Sequence, residues 1–82
     1  MEVIFERCAG LDVHKKTVVA CRVRVTAAGQ VVKEKRTFGT TTAELLQMLD
    51  WLLEWDCTHV AMESTGEFWK PVYNVLEGNL EV

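Results

Sequence analysis

Two acids occupy the same kind of place in this 82-residue chain. Asp12 closes a short apolar run that starts at Glu6, and Glu63 closes the run His59-Val60-Ala61-Met62. If these runs are parallel neighbouring strands, both carboxylates leave the sheet at its carboxyl-end edge, where open α/β sheets build their sites. Two carboxylates brought together repel unless a cation lies between them or one is protonated. Hard divalent ions prefer oxygen ligands, so the pair reads as half of a Mg²⁺ (or Mn²⁺) site. Strand ends also carry acids simply because they face water, and periodicity alone leaves both readings open.

The elements that would position the pair follow from the change in hydrophobic period. Glu6 to Asp12 is the first strand. Thr17 to Thr26 alternates, with Val19, Cys21, Val23 and Val25 on one face and Arg22 and Arg24 on the other. A period of two with that composition predicts a strand whose arginine face is the wetter one. Ala27-Ala28-Gly29-Gln30 supplies a turn in which Gly29 can take a positive φ. Val31 to Phe38 carries a weak apolar signal and many charges, the pattern of a defended edge strand.

From Ala43 to Trp55 the period becomes helical. Leu45, Leu46, Met48, Leu49, Leu52, Leu53 and Trp55 share one half of the wheel, Gln47, Asp50 and Glu54 lie opposite, and Trp51 falls at the margin. Threonines before this segment offer N-caps. His59 to Glu63 is too short and apolar for a helix and well suited to a buried strand. After the turn Ser64-Thr65-Gly66, a second helix is predicted from about 67 to 76, with Pro71 tolerated near its first turn. Leu80-Glu81-Val82 looks like the start of another strand. The expected order is β-β-β-α-β-α followed by a truncated strand, an α/β fold with a mixed sheet.

Composition narrows the partners. The net charge is −3, whereas a self-sufficient nucleic-acid binder usually has a basic balance; for a DNA-acting enzyme, most phosphate-binding surface is then expected elsewhere. Cys8, Cys21 and Cys57 are odd in number and unpaired in spacing, which argues for reduced, buried cysteines over disulfides or zinc. No apolar run approaches the ~20 residues of a membrane span, and the acids in Met1–Arg7 argue against a signal peptide. The expectation is a cytoplasmic protein without a membrane partner.

The words around the two acids carry a more specific signal. Gly10-Leu11-Asp12-Val13-His14-Lys15-Lys16-Thr17 and Met62-Glu63-Ser64-Thr65-Gly66-Glu67-Phe68-Trp69 resemble the opening blocks of the DEDD transposases of the insertion-sequence 110/116/902 group. The resemblance runs from Ala9 to Gly78. It implies a ribonuclease-H-like fold, with Asp12 and Glu63 as the first two acids of a catalytic, metal-binding tetrad. It further implies DNA as the partner, two-metal phosphodiester chemistry in transposition, and a structured guide RNA. The family's two later aspartates are not matched, since Asp50 belongs to the polar helix face and Asp56 to a loop. The chain is therefore expected to be an N-terminal piece of the catalytic domain, inactive by itself, and to form a homo-oligomer through its incomplete sheet.

Other candidates have two readings each. Lys15 and Lys16 could meet phosphate or sit in a solvated turn, and His14 could serve the metal site or the bound strand or stay an exposed loop residue. His59 reads as a packed or capping residue, Ser64 and Thr65 as caps for the second helix, and Trp69 and Tyr73 as one helix face turned to a core or interface. Two rival functions compete with the transposase. A sugar-kinase or actin-like ATPase fragment would share the general fold, but its phosphate turn needs glycine, and Val13-His14-Lys15-Lys16 has none. A non-catalytic dimerisation module would rely instead on Trp51, Trp55, Phe68 and Trp69.

Overall fold

The computed structural model describes residues 7–82; Glu6, where the first strand was expected to begin, and all but Arg7 of the N-terminal stretch read against a signal peptide lie outside them. The elements are β1 (Arg7–Val13), β2 (Thr17–Val25), β3 (Val31–Gly39), α1 (Thr42–Glu54), β4 (His59–Ser64) and α2 (Trp69–Leu76). The strands form one mixed sheet in the order β3-β2-β1-β4. β1–β2 and β2–β3 are antiparallel, and β1–β4 is parallel. The mixed α/β sheet expected from the sequence is therefore present. Beyond α2, Glu81 bridges His59 in parallel, where a further strand was expected to start.

Local chemistry explains the joints. Gly29 closes the β2–β3 turn at φ 81°, a conformation cheap only for glycine. Thr41 caps α1: its Oγ1 accepts from the Glu44 amide at 3.3 Å and donates to Glu44 Oε2 at 3.2 Å, a relative of the capping box. At the other end Asp56 sits at φ 54°. Its amide donates to the Leu53 carbonyl, and that of Cys57 to the Leu52 carbonyl, the pairing of a Schellman motif with aspartate in the usual glycine position.

One core joins the sheet to both helices. Ala9, Leu11 and Val13 of β1, Val18 and Ala20 of β2 and Phe38 of β3 are buried with Leu45, Met48, Leu49 and Leu52 of α1 and Val72 and Leu76 of α2. Helices cover one face of the sheet, and the described residues leave the other bare. Among them, no helix is long and apolar enough to cross a membrane.

Two expectations are corrected here. The arginine face of β2 is the covered face: Arg22 is only 4% exposed, while Val19, Cys21, Val23 and Val25 are half-buried on the bare side. The reason is a cation site built by α1. The Arg22 guanidinium lies 4.3 Å from the Trp51 ring and 4.1 Å from that of Trp55. It donates to the Trp51 carbonyl at 2.7 Å and to Glu34 Oε1 at 2.7 Å, and Glu54 stands at 3.6 Å. A cation desolvated between two indoles is stabilised by their faces and by its acids. The second correction follows from the first. Trp51 is a core residue, packed edge-on to Phe38 at 5.5 Å between centroids, whereas Leu46 and Leu53 are exposed.

Removing the guanidinium leaves a void between two indoles and the Trp51 carbonyl without its donor, while half-exposed Glu34 is taken up by water. Arg22→Ala should lower the unfolding free energy in urea titrations by about 2–4 kcal/mol. Arg22→Met, which keeps the aliphatic stem in place, should lose less than half as much. Equal stability of wild type and Arg22→Ala would contradict this account of how α1 is anchored.

Candidate functional site at the bare face

β1 and β4 pair from Cys8↔His59 to Val13↔Ser64, which sets Asp12 directly beside Glu63. Neighbouring strands lie about 4.8 Å apart, and residues sharing a pleat project to the same face. That face is the bare one: Asp12 and Glu63 are exposed, while Leu11 and Val13 on either side of Asp12 are buried. Each acid is the penultimate residue of its strand. Both therefore stand at the carboxyl-end edge of the only parallel pair among the described strands.

Below the acids the face opens into a trough of about 570 Å³, bordered by Gly10, Asp12, Ala61 and Glu63 and, across β2 and β3, by Val19, Cys21 and Lys35. Its floor has almost no side chains. Gly10 pairs with Ala61, and a Cβ built on Gly10 would meet nothing within 4 Å. The volume falls within the range of small-ligand sites, although the trough is open along its length.

The other candidate residues divide. His14 Nε2 lies 3.0 Å from Asp12 Oδ2, so this histidine attends the first acid. Lys15 and Lys16 are exposed at the tip of the β1–β2 turn. That turn is closed by the His14 amide donating to the Thr17 carbonyl at 2.8 Å and tied to the β3–α1 link by Thr40 Oγ1 donating to the Lys15 carbonyl at 3.3 Å. His59 Nδ1 is 2.8 Å from Thr58 Oγ1, at the far end of β4 from Glu63. Trp69 and Tyr73 form an edge-on pair at 5.9 Å that is partly exposed rather than core.

Ser64 and Thr65 do not cap α2, contrary to expectation. The helix begins after Phe68, with no side-chain cap, because a turn through Gly66 at φ 61° intervenes. Ser64 Oγ donates instead to the Thr65 carbonyl at 3.3 Å, and the Thr65 amide donates to the Val13 carbonyl at 3.1 Å. The latter bond ties the end of β1 to the end of β4 beside the two acids. Sequence reading also missed Lys35 as a member of the site. Its signal was the alternation Lys33, Lys35, Thr37, which becomes informative only once register places it on the bare face.

Among the described residues, no group of three or more His, Cys, Asp or Glu is arranged to hold a metal ion. The donor set is the pair of carboxylates.

Comparison with known families agrees with the resemblance carried by these two words. Residues 9–80 match the DEDD transposase family of the insertion-sequence 110 type, and the chain belongs to that transposase family. The mixed sheet with its two helices accords with the ribonuclease-H-like fold implied for it. Among curated proteins, none matches the chain.

The cysteines report on the two faces. Cys57 is buried, and its thiol is pushed above the ordinary range first by burial, then by the neighbouring Cys8 and by Asp56, against the lowering pull of Arg22 and Arg7. Cys21 is half-buried on the bare side. Only the thiolate is nucleophilic, so iodoacetamide at mildly alkaline pH should alkylate Cys21 well before Cys57, as read by peptide mass mapping. Folding should also weaken as pH rises past the ordinary thiol range, because the unfolded Cys57 ionises first. Equal labelling rates in the folded chain would contradict the burial of Cys57.

Proposed function

We propose that Asp12 and Glu63 form half of the divalent-metal site of a DNA transposase catalytic domain, of which this chain is the N-terminal part. The observation that carries the reading is register: two carboxylates side by side on adjacent parallel strands, on a face with room for a substrate. Membership of a transposase family supports DNA as the substrate of that site.

The donor chemistry fits the ion. Mg²⁺ and Mn²⁺ take carboxylate oxygens and are commonly held by one or two carboxylates together with water and phosphate oxygens. Asp12 and Glu63 would supply the protein oxygens, and His14, at 3.0 Å from Asp12 Oδ2, would orient the first carboxylate. A bound divalent ion would neutralise charge on the phosphate and favour displacement at phosphorus. The family's two further aspartates are not matched in this chain, and the pair by itself would hold a metal without completing catalysis. The guide RNA and homo-oligomer implied by the resemblance belong to the same reading. The ATPase alternative gains nothing from the family match, and the turn after Asp12 offers no glycine for a phosphate.

Two measurements test this. Titrating the isotopically labelled chain with Mn²⁺ should broaden the amide signals of residues 10–13 and 61–64 first, and Asp12→Asn with Glu63→Gln should abolish the effect. Broadening confined to other acids, such as Glu34 and Glu54, would remove the metal reading. In a transposition assay of a protein containing this chain, Asp12→Asn should cost more than the ~10–100-fold typical of losing an outer-shell partner of a metal site. The same substitution should stabilise the metal-free fold by roughly 0.2–1 kcal/mol, since like charges on paired strand positions destabilise a sheet. A drop in thermal midpoint would show instead that Asp12 has a structural role.

A further inference from the structure

β3 sends its charges to two different places. On the covered face Glu34 is committed to Arg22, and the Arg36 guanidinium lies 4.9 Å from the Phe38 ring. On the bare face Lys33 and Lys35 form no ion pair with any described residue. Register fixes where they stand. Lys35 pairs with Cys21, Cys21 with Gly10, and Gly10 with Ala61, so Lys35 closes the rung that forms the bare floor of the trough. Asp12 and Glu63 occupy the next rung on that face, toward the carboxyl end.

The trough thus has carboxylates at one end, an ammonium across from them, and a glycine–alanine floor between. Lys35 lies two strand spacings, roughly 10 Å, from β1, and its four-carbon stem covers part of that gap. Each DNA strand carries one phosphate per about 3.4 Å of helix axis. A strand with one phosphate at the carboxylate pair therefore has another within reach of Lys35. A floor without side chains lets a sugar-phosphate backbone lie close to the sheet.

We infer that the bare face is a track for a DNA backbone, with Lys35 the principal phosphate contact upstream of the two acids and Lys33 extending the track by one rung. The inference rests on the transposase reading for the identity of the polyanion, and it deepens that reading by naming residues that hold the strand rather than the metal. Lys35 is a positioning residue. It reaches a phosphate remote from the carboxylates and acts by fixing where the strand runs.

The test is DNA binding by the chain, followed by anisotropy of a short fluorescein-labelled duplex over a range of salt concentrations. Lys33→Ala/Lys35→Ala should weaken binding to the same degree for unrelated sequences. It should also lower the slope of log K against log salt by about 2, near 0.9 for each phosphate left without its lysine. Lys35→Arg should retain affinity, and Lys70→Ala, on α2 and paired with Glu67 at 3.5 Å, should leave it unchanged. Circular dichroism of each variant checks that the fold is kept.

Unchanged affinity and slope in the double variant would overturn the inference, leaving the lysines as defence of the β3 edge. Absence of measurable binding by the unmodified chain at low salt would overturn it too. The Mn²⁺ titration is independent of these lysines. Mn²⁺ localised at Asp12 and Glu63 together with normal DNA binding by the double variant sinks the track alone. Lost DNA binding with no Mn²⁺ response at the acids sinks the metal site alone.

Discussion

The pairing of β1 with β4 is the constraint on which the rest depends. Side chains alternate across a sheet with a period of two, so a slip of one residue would send Glu63 to the helix-covered face and leave Asp12 alone. Two features resist the slip. Ala9, Leu11 and Val13 of β1 share one pleat with Val60 of β4 beneath the helices, and shifting β4 by one would expose Val60 and bury an acid. The bond from the Thr65 amide to the Val13 carbonyl holds the strand ends level where the carboxylates emerge. Ordinary core burial thus holds the chemical groups in place, and their own repulsion works against it.

What aligns β4 with β1 is the crossover through α1, and α1 is anchored by a buried cation. The helix brings Trp51 and Trp55 down on Arg22, and the Trp51 carbonyl accepts from the same guanidinium. Glu34 on β3 and Glu54 on α1 complete the surroundings, so the contact spans β2, β3 and α1. Such a site is costly to desolvate and gives modest net stability, but it is directional where hydrocarbon packing is not. In a core with many leucines, it specifies how the helix lies across the strands. The cost is visible at Arg22 Nε, a buried nitrogen without a partner among the described residues.

Sequence reading recovered whatever rests on local period and local turn chemistry. The strands, the crossover helix, the turn at Gly29 and the edge character of β3 are all of this kind, and each was placed to within about two residues. Asp12 and Glu63 were legible as candidates because each ends an apolar run and stands in a word that resembles the family's. Tertiary exchange is where it failed. An arginine alternating with valines looks like the wet face until two tryptophans from a distant helix make the arginine side the dry one. Leu46 and Leu53 look like core until Trp51 takes that place. Ser64 and Thr65 look like caps because hydroxyls before a helix usually are, and only the extra turn at Gly66 shows otherwise. The alternation that includes Lys35 said nothing of a site without register, since an edge lysine needs no further explanation.

The division of the sheet into a covered and a bare face then has a physical logic. The covered face surrounds its one buried charge with two indoles, a carbonyl and two acids and packs its apolar residues against the helices. The bare face does the reverse: adjacent like charges, a glycine in the middle of a central strand and unpaired lysines across from the acids. The first two weaken a sheet when judged by stability alone, through repulsion and through lost side-chain packing, and the lysines stand without an ion-pair partner among the described residues. Local rules broken together on one surface, while the opposite surface obeys them, are what a binding site looks like from the standpoint of folding. A polyanion escorted by a divalent cation would relieve all three at once: the cation between the carboxylates, the phosphates against the lysines, and the backbone covering the bare floor.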